Sequence, residues 1–79
     1  MKYSVMPELK VGQGGYVKKI LPNCSIRRRL MDIGLVEETY VKCVLKSPGG
    51  DPIAYQVRGA VIAIRNEDAK NIIIKKEVI

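Results

Sequence analysis

The sequence predicts a mainly-β domain, a small and partly open barrel of about five short strands with one short α-helix inserted and a single further helical turn. Three observations lead there. Apolar and polar residues alternate in several short runs, the period of strands with one buried face. Clusters of Gly, Pro, Asn and Asp punctuate the chain between those runs. Finally, 79 residues cannot build two large packed sheets, so the strands must hide their edges by curling on one another. The same length holds one core, and residues 1–79 are read as one domain. Folding at this size buries roughly 60% of the extended surface, too little to enclose a deep substrate cavity.

The elements follow in chain order. Gly12, Gly14 and Gly15 supply the conformational freedom for a sharp turn into a first strand over 16–21. Pro22 and Asn23 stop it, Ser25 is placed to cap a helix through Ile33, and Gly34 suits the left-handed position just beyond the helix end. At 3.6 residues per turn, Ile26, Leu30 and Ile33 share one face while Arg28 and Asp32 lie opposite as an i,i+4 pair. Val41, Cys43 and Leu45 then alternate with Lys42, Val44 and Lys46 as a strand. The turn formers of 47–52 join it to a partner carrying Ile53, Tyr55 and Val57. Gly59 permits a bend before a strand over 61–64, Asn66 can cap one helical turn over 67–69, and 72–75 forms the last strand.

Composition narrows the function. There is no histidine, which removes the commonest general base and the commonest transition-metal ligand together. Cys24 and Cys43 are the only cysteines, too far apart in sequence for a CxxC site and too few for a disulfide framework. No apolar run approaches the ~20 residues of a spanning helix, and the first residues lack the apolar core of a secretion signal, so a cytoplasmic location without direct membrane insertion is expected. Fourteen Lys and Arg against eight Asp and Glu give a net charge of +6, which favours acidic partners.

One local pattern stands out. Arg27, Arg28 and Arg29 occupy the first turn of the expected helix, where the macrodipole disfavours each cation by about a few tenths of a kcal/mol. Their guanidinium forks suit carboxylate or phosphate, while a solvated helix face whose stems cover apolar surface accounts for them equally. Gly12 to Gly15 precedes a strand rather than a helix and lacks the Lys-Ser/Thr ending of a phosphate loop, so it reads as a turn. Asp51, Glu67 and Asp68 read as turn and cap residues rather than a hard-cation site. Cys24 and Cys43 are the weak candidates for a metal. The four tyrosines are dispersed along the chain and no Trp or Phe is present, which leaves little for a base-stacking platform, and no nucleic-acid partner is expected.

The runs Arg27-Arg-Arg-Leu-Met-Asp-Ile-Gly-Leu35, Ser47-Pro-Gly-Gly-Asp-Pro-Ile-Ala-Tyr55 and Val57-Arg-Gly-Ala-Val-Ile-Ala-Ile-Arg65, followed by Glu67-Asp-Ala69, resemble the FeoA family in order and spacing. The resemblance covers nearly the whole chain, from about Pro7 to Ile74. It implies an SH3-like barrel related to the C-terminal domain of DtxR-type repressors. It also implies a non-enzymatic accessory of ferrous iron uptake, acting on the cytosolic GTP-hydrolysing part of a FeoB-type membrane transporter. On that footing the expected partner contacts are Arg27, Arg28 and Met31 on the outer helix face, with Gly49, Gly50 and Asp51 as a second contact. No cofactor is required, and any divalent transition metal such as iron would bind weakly. An open barrel edge would allow weak self-association. Two other readings stay open: a metal-binding or metal-sensing SH3-like domain, and a nucleic-acid-binding small barrel.

Overall fold

In the computed structural model, which describes residues 3–77, the strands form one six-stranded antiparallel sheet in the order β1-β6-β2-β3-β4-β5. The strands are β1 (Tyr3–Val5), β2 (Gly14–Ile20), β3 (Tyr40–Lys46), β4 (Ile53–Val57), β5 (Ala60–Ile64) and β6 (Ile72–Lys76). Two helices interrupt them, α1 (Arg27–Asp32) and α2 (Asn66–Ala69), together with single 3-10 turns at Met6–Glu8 and Pro48–Gly50. The mainly-β, partly open barrel read from the sequence holds, with six strands where about five are expected.

The additional strand is β1. It pairs with β6, Tyr3 opposite Lys75 and Val5 opposite Ile73, and the turn after it drives Met6 into full burial, as Leu9 is just beyond. These two residues join Val17, Leu35, Val41, Cys43, Tyr55, Ile72 and Ile74 in a core that the curled sheet wraps. Breaks in register between Val17 and Lys19 and between Cys43 and Leu45 bend β2 and β3, which is how one short sheet closes on itself. Gly14 and Gly15, expected in a turn, lie inside β2; the turn proper is at Gly12, whose φ is +89°.

Helix ends differ from the sequence reading in an instructive way. Ser25 does not cap α1; its hydroxyl donates to Asp68 Oδ1 at 2.9 Å, tying the helix approach to α2. At the other end Gly34 does adopt the left-handed conformation (φ +95°), with Gly34 N–H bonded to Met31 O and Leu35 N–H to Leu30 O, both 3.0 Å. That Schellman arrangement reverses the chain and brings Leu35 under the helix. Leu35, not Ile33, therefore completes the buried stripe with Leu30, and Ile33 is 44% exposed. Likewise Asn66 is not a cap. Asp51 Oδ1 accepts the Asn66 backbone N–H at 3.0 Å and supplies the cap of α2 from across the fold.

Candidate functional site

α1 is a short helix held by more than its own turns. Leu30 is buried and Ile26 packs on the core. On the sheet side, Arg27 Nε donates to Ile20 O at 3.2 Å, so the first turn is fastened to the end of β2. Behind the helix, Thr39 accepts from Val36 N–H at 3.1 Å and donates to Gly34 O at 3.0 Å. Arg58, whose φ is +51°, adds a bond from Nε to the same Gly34 carbonyl at 3.1 Å. The outer face is thus presented on a fixed support.

On that face Arg27, Arg28 and Met31 come together with Asp32 around one shallow depression. The expected Arg28–Asp32 pair does not form: among the described residues the ion pairs are Lys18–Glu38, Arg65–Glu67 and Arg65–Asp68. The guanidinium groups of Arg28 and Arg29 have no protein partner among the described residues, and all three arginines are exposed. Gly49, Gly50 and Asp51 sit elsewhere. Asn66 Nδ2 donates to Gly50 O at 2.8 Å, and with the Asp51 cap this pins the tip to α2 rather than to α1. Asp51 thus has a structural task that its position in a turn did not disclose.

A second groove adjoins the depression of the outer face along the Arg27–Met31 edge of α1, between the helix and β2, with a volume of about 290 Å³. Its floor is Ile20 and Leu35, its walls Met31 and Val36, and Lys19 and Arg27 stand at its rim. Lys19 and Val36 were not singled out from sequence. The one available signal was Gly34, because a left-handed residue there turns the chain so that the residue after Leu35 flanks the helix.

The cysteines are not arranged as ligands. Cys24 is buried with its Sγ directed at Asp68 O, 3.7 Å away, and Cys43 is fully buried in β3 opposite Tyr55. Burial pushes the Cys43 thiol upward from its ordinary value, against what a metal thiolate needs. Among the described residues no three His, Cys, Asp or Glu side chains converge on a point. The donor set does not fit a tight transition-metal site.

Three of the four tyrosines, dispersed in sequence, come together in space, while Tyr55 lies in the core. Pairing places Tyr3 opposite Lys75, Lys75 opposite Tyr16, and Tyr16 opposite Tyr40, a single exposed row across four strands. The Tyr16 and Tyr40 rings meet edge to face with centroids 5.3 Å apart, and Tyr40 donates to Glu77 Oε1 at 3.0 Å.

Every resolved ionisation shift in the fold points the same way. Burial raises Cys43 from 9.0, burial raises Tyr55 from 10.0, and burial followed by the Glu77 hydrogen bond raises Tyr40 from 10.0. The hydrogen bond to Glu38 raises Lys18 from 10.5. The folded chain therefore keeps protons that the unfolded chain releases, and stability falls as pH rises through these groups. The urea midpoint is expected to stay level between about pH 7 and 8.5 and to decline from about 9 upward. Tyr55 contributes doubly, because its buried hydroxyl has no hydrogen-bond partner among the described residues. Tyr55→Phe is expected to leave the protein equally stable or more stable by about 1 kcal/mol at neutral pH, and to soften the alkaline decline. A loss above ~1 kcal/mol would show that the hydroxyl is satisfied.

Comparison with known proteins gives a consistent picture. The family model described as the FeoA domain matches residues 5–76. The solution structure of a FeoA-like protein from Clostridium acetobutylicum superposes with a TM-score of 0.88 at 32% identity, covering 99% of this chain and 91% of that one. The FeoA protein of Chlorobium tepidum gives 0.86 at 32% identity, over 94% and 70%. The zinc complex of Stenotrophomonas maltophilia FeoA gives 0.80 at 31% identity, over 90% and 88%; that protein is described as a prokaryotic SH3 domain protein put forward as a ferrous iron transport activating factor. A manganese-dependent transcriptional repressor shares the fold alone, with a TM-score of 0.85 at 15% identity over 98% of this chain and 38% of that one. Among curated proteins nothing matches the chain.

Proposed function

The chain belongs to the FeoA family, and from that premise we propose that it is a cytoplasmic accessory of ferrous iron uptake that docks on the cytosolic part of a FeoB-type transporter through the outer face of α1. The family is associated with ferrous iron transport and is not known as enzymatic. What supports docking by α1 is one observation: three arginines in an unfavourable first turn, at least two of them without a partner among the described residues, on a helix bolted to the barrel at both ends. A solvated face needs no such fixing. Met31, 42% exposed beside Arg27 and Arg28, adds apolar area to a cationic contact. The Gly49–Asp51 tip is a second contact in this reading, held in position by α2.

The test is affinity for the transporter's isolated cytosolic domain. Arg27→Glu with Arg28→Glu is expected to weaken binding tenfold or more, about 1.4 kcal/mol, and to lower the thermal midpoint through the lost Arg27–Ile20 bond, whereas Arg28→Glu alone should weaken binding with the midpoint unchanged. Binding equal to that of the parent would sink the assignment of the face.

A second reading has one observation in its favour. The row Tyr3, Lys75, Tyr16, Tyr40 interleaves rings with a cation on an exposed sheet face, the arrangement on which single-stranded bases stack. Glu38 and Glu77 on the same surface oppose phosphate. Oligonucleotide binding that weakens steeply between about 50 and 200 mM salt and is lost in Tyr16→Ala would favour it.

A further inference from the structure

We propose that the groove between α1 and β2 is a receptor for an acidic, amphipathic protein segment that inserts a large apolar side chain between Met31 and Val36. This rests on reading α1 as a docking face and specifies the chemistry of what docks there.

The shape sets the first limit. At about 290 Å³ the groove falls just below the range of about 300–1,000 Å³ typical of small-molecule sites and is open to solvent, so it suits one or two side chains rather than a cofactor. Its interior is apolar, with Ile20 and Leu35 buried beneath and Met31 and Val36 still 42% and 37% exposed. An apolar side chain entering it completes the burial of both walls. Met31, unbranched and polarisable, can adjust to different occupants.

Charge selects the partner. Four charged side chains border the groove: Lys18, Lys19, Glu37 and Arg27, the last shared with the outer face. Lys18 is already paired with Glu38. Arg27, an exposed residue, uses only its Nε on Ile20 O, so its terminal nitrogens have no partner among the described residues, and Lys19 is exposed with none either. Against these stand Glu37 in the groove and Asp32 on the adjoining outer face. Arg28 and Arg29 extend the positive field past the rim, so the complementary segment carries carboxylates around its apolar anchor. A second copy presenting the same face would bring like charges together.

Rigidity gives the third support. The helix side is fixed by the Arg27–Ile20 bond and the Schellman closure, and the Val36 side by Thr39. The groove exists before any partner arrives, so binding loses little to ordering it.

The experiment is an NMR titration of the isotope-labelled protein with synthetic amphipathic peptides. One peptide carries leucines at i, i+3 and i+4 with glutamates elsewhere; a second replaces Glu by Lys, and a third replaces Leu by Ser. The acidic leucine peptide is expected to shift the amides of Lys19, Arg27 and Val36 and the Met31 methyl saturably. Affinity should weaken about tenfold on raising the salt from 50 to 300 mM. Val36→Asp, a surface change that leaves the spectrum dispersed, should abolish those shifts. Equal binding of the lysine peptide, undiminished binding of the serine peptide, shifts confined to other surfaces, or displacement by an oligonucleotide on the tyrosine row would each overturn the proposal. If the peptides behave as expected while the transporter domain fails to bind, the groove stands and the transporter assignment falls. Transporter binding unaffected by Val36→Asp gives the reverse.

Discussion

Leu30→Ala is expected to cost about 2–5 kcal/mol of stability, the range for deleting a fully packed aliphatic side chain, and to release α1 from the barrel in the same step. Leu30 is 2% exposed, it is the buried residue of a helix only six residues long, and its carbonyl closes the turn that brings Leu35 beneath the helix. A helix this short has almost no stability of its own, since nucleation alone is unfavourable below about 12 residues. Its persistence depends on Leu30, on the Arg27–Ile20 bond and on the Gly34 reversal. In a domain whose net stability is of the order of 5–15 kcal/mol, the loss should lower the thermal midpoint by ten degrees or more. Ile33→Ala, three positions along the same predicted stripe, should shift stability by less than about 1 kcal/mol because Ile33 is 44% exposed. Equal effects at the two positions would contradict the observed ending of the helix. Leu30→Ala should also weaken partner binding although Leu30 touches no partner, whereas Arg28→Glu should do so without moving the melting curve.

The contrast between Leu30 and Ile33 marks how far sequence patterns reach in this fold. Period-two alternation located β3 and β4 to within a residue, and the residue types of 47–52 located the turn between them, because both signals are local. A helical wheel placed Leu30 inside correctly and Ile33 incorrectly, since it continued the helix past the point where Gly34 reverses the chain. The strand β1 escaped because three residues cannot display a period, and its partner β6 lies at the far end of the chain. The tyrosine row escaped for the same reason: positions 3, 16, 40 and 75 meet only through long-range pairing. As for the site, the arginine run announced itself by conflicting with the helix dipole. The groove did not, because Lys19 and Val36 come to line it only when β2 and the segment after Gly34 pack beside the Arg27–Met31 edge of α1.

Gly15 carries the other large effect. The sequence pattern groups it with two other turn glycines, yet it lies in β2 with a strand on each side, opposite Val41 of β3 and Lys76 of β6. A Cβ built there falls 2.7 Å from the carbonyl oxygen of Lys75 and 3.3 Å from Ile74 Cδ1. The first neighbour is backbone, so no rotamer change relieves it; β6 itself must move, and β6 carries the buried Ile72 and Ile74. Gly15→Ala is therefore expected to cost about 1–3 kcal/mol through overpacking, and Gly15→Val more. Gly14 gives the control. Its Cβ would meet the hydroxyl of Tyr40, the far end of an exposed side chain that can swing away at the cost of its bond to Glu77. Gly14→Ala should thus be milder in urea denaturation and should disturb the Tyr16–Tyr40 ring pair specifically, visible in the near-ultraviolet circular dichroism. Parity between Gly15→Ala and the parent would mean that β2 and β6 are not in such close contact. Because β2 also ends in Lys19 and Ile20 at the groove, a displaced β2–β6 pair should loosen the support of α1 from the opposite end of the same strand. Gly15→Ala is accordingly expected to weaken partner binding in proportion to its loss of stability, while Gly14→Ala leaves binding unchanged.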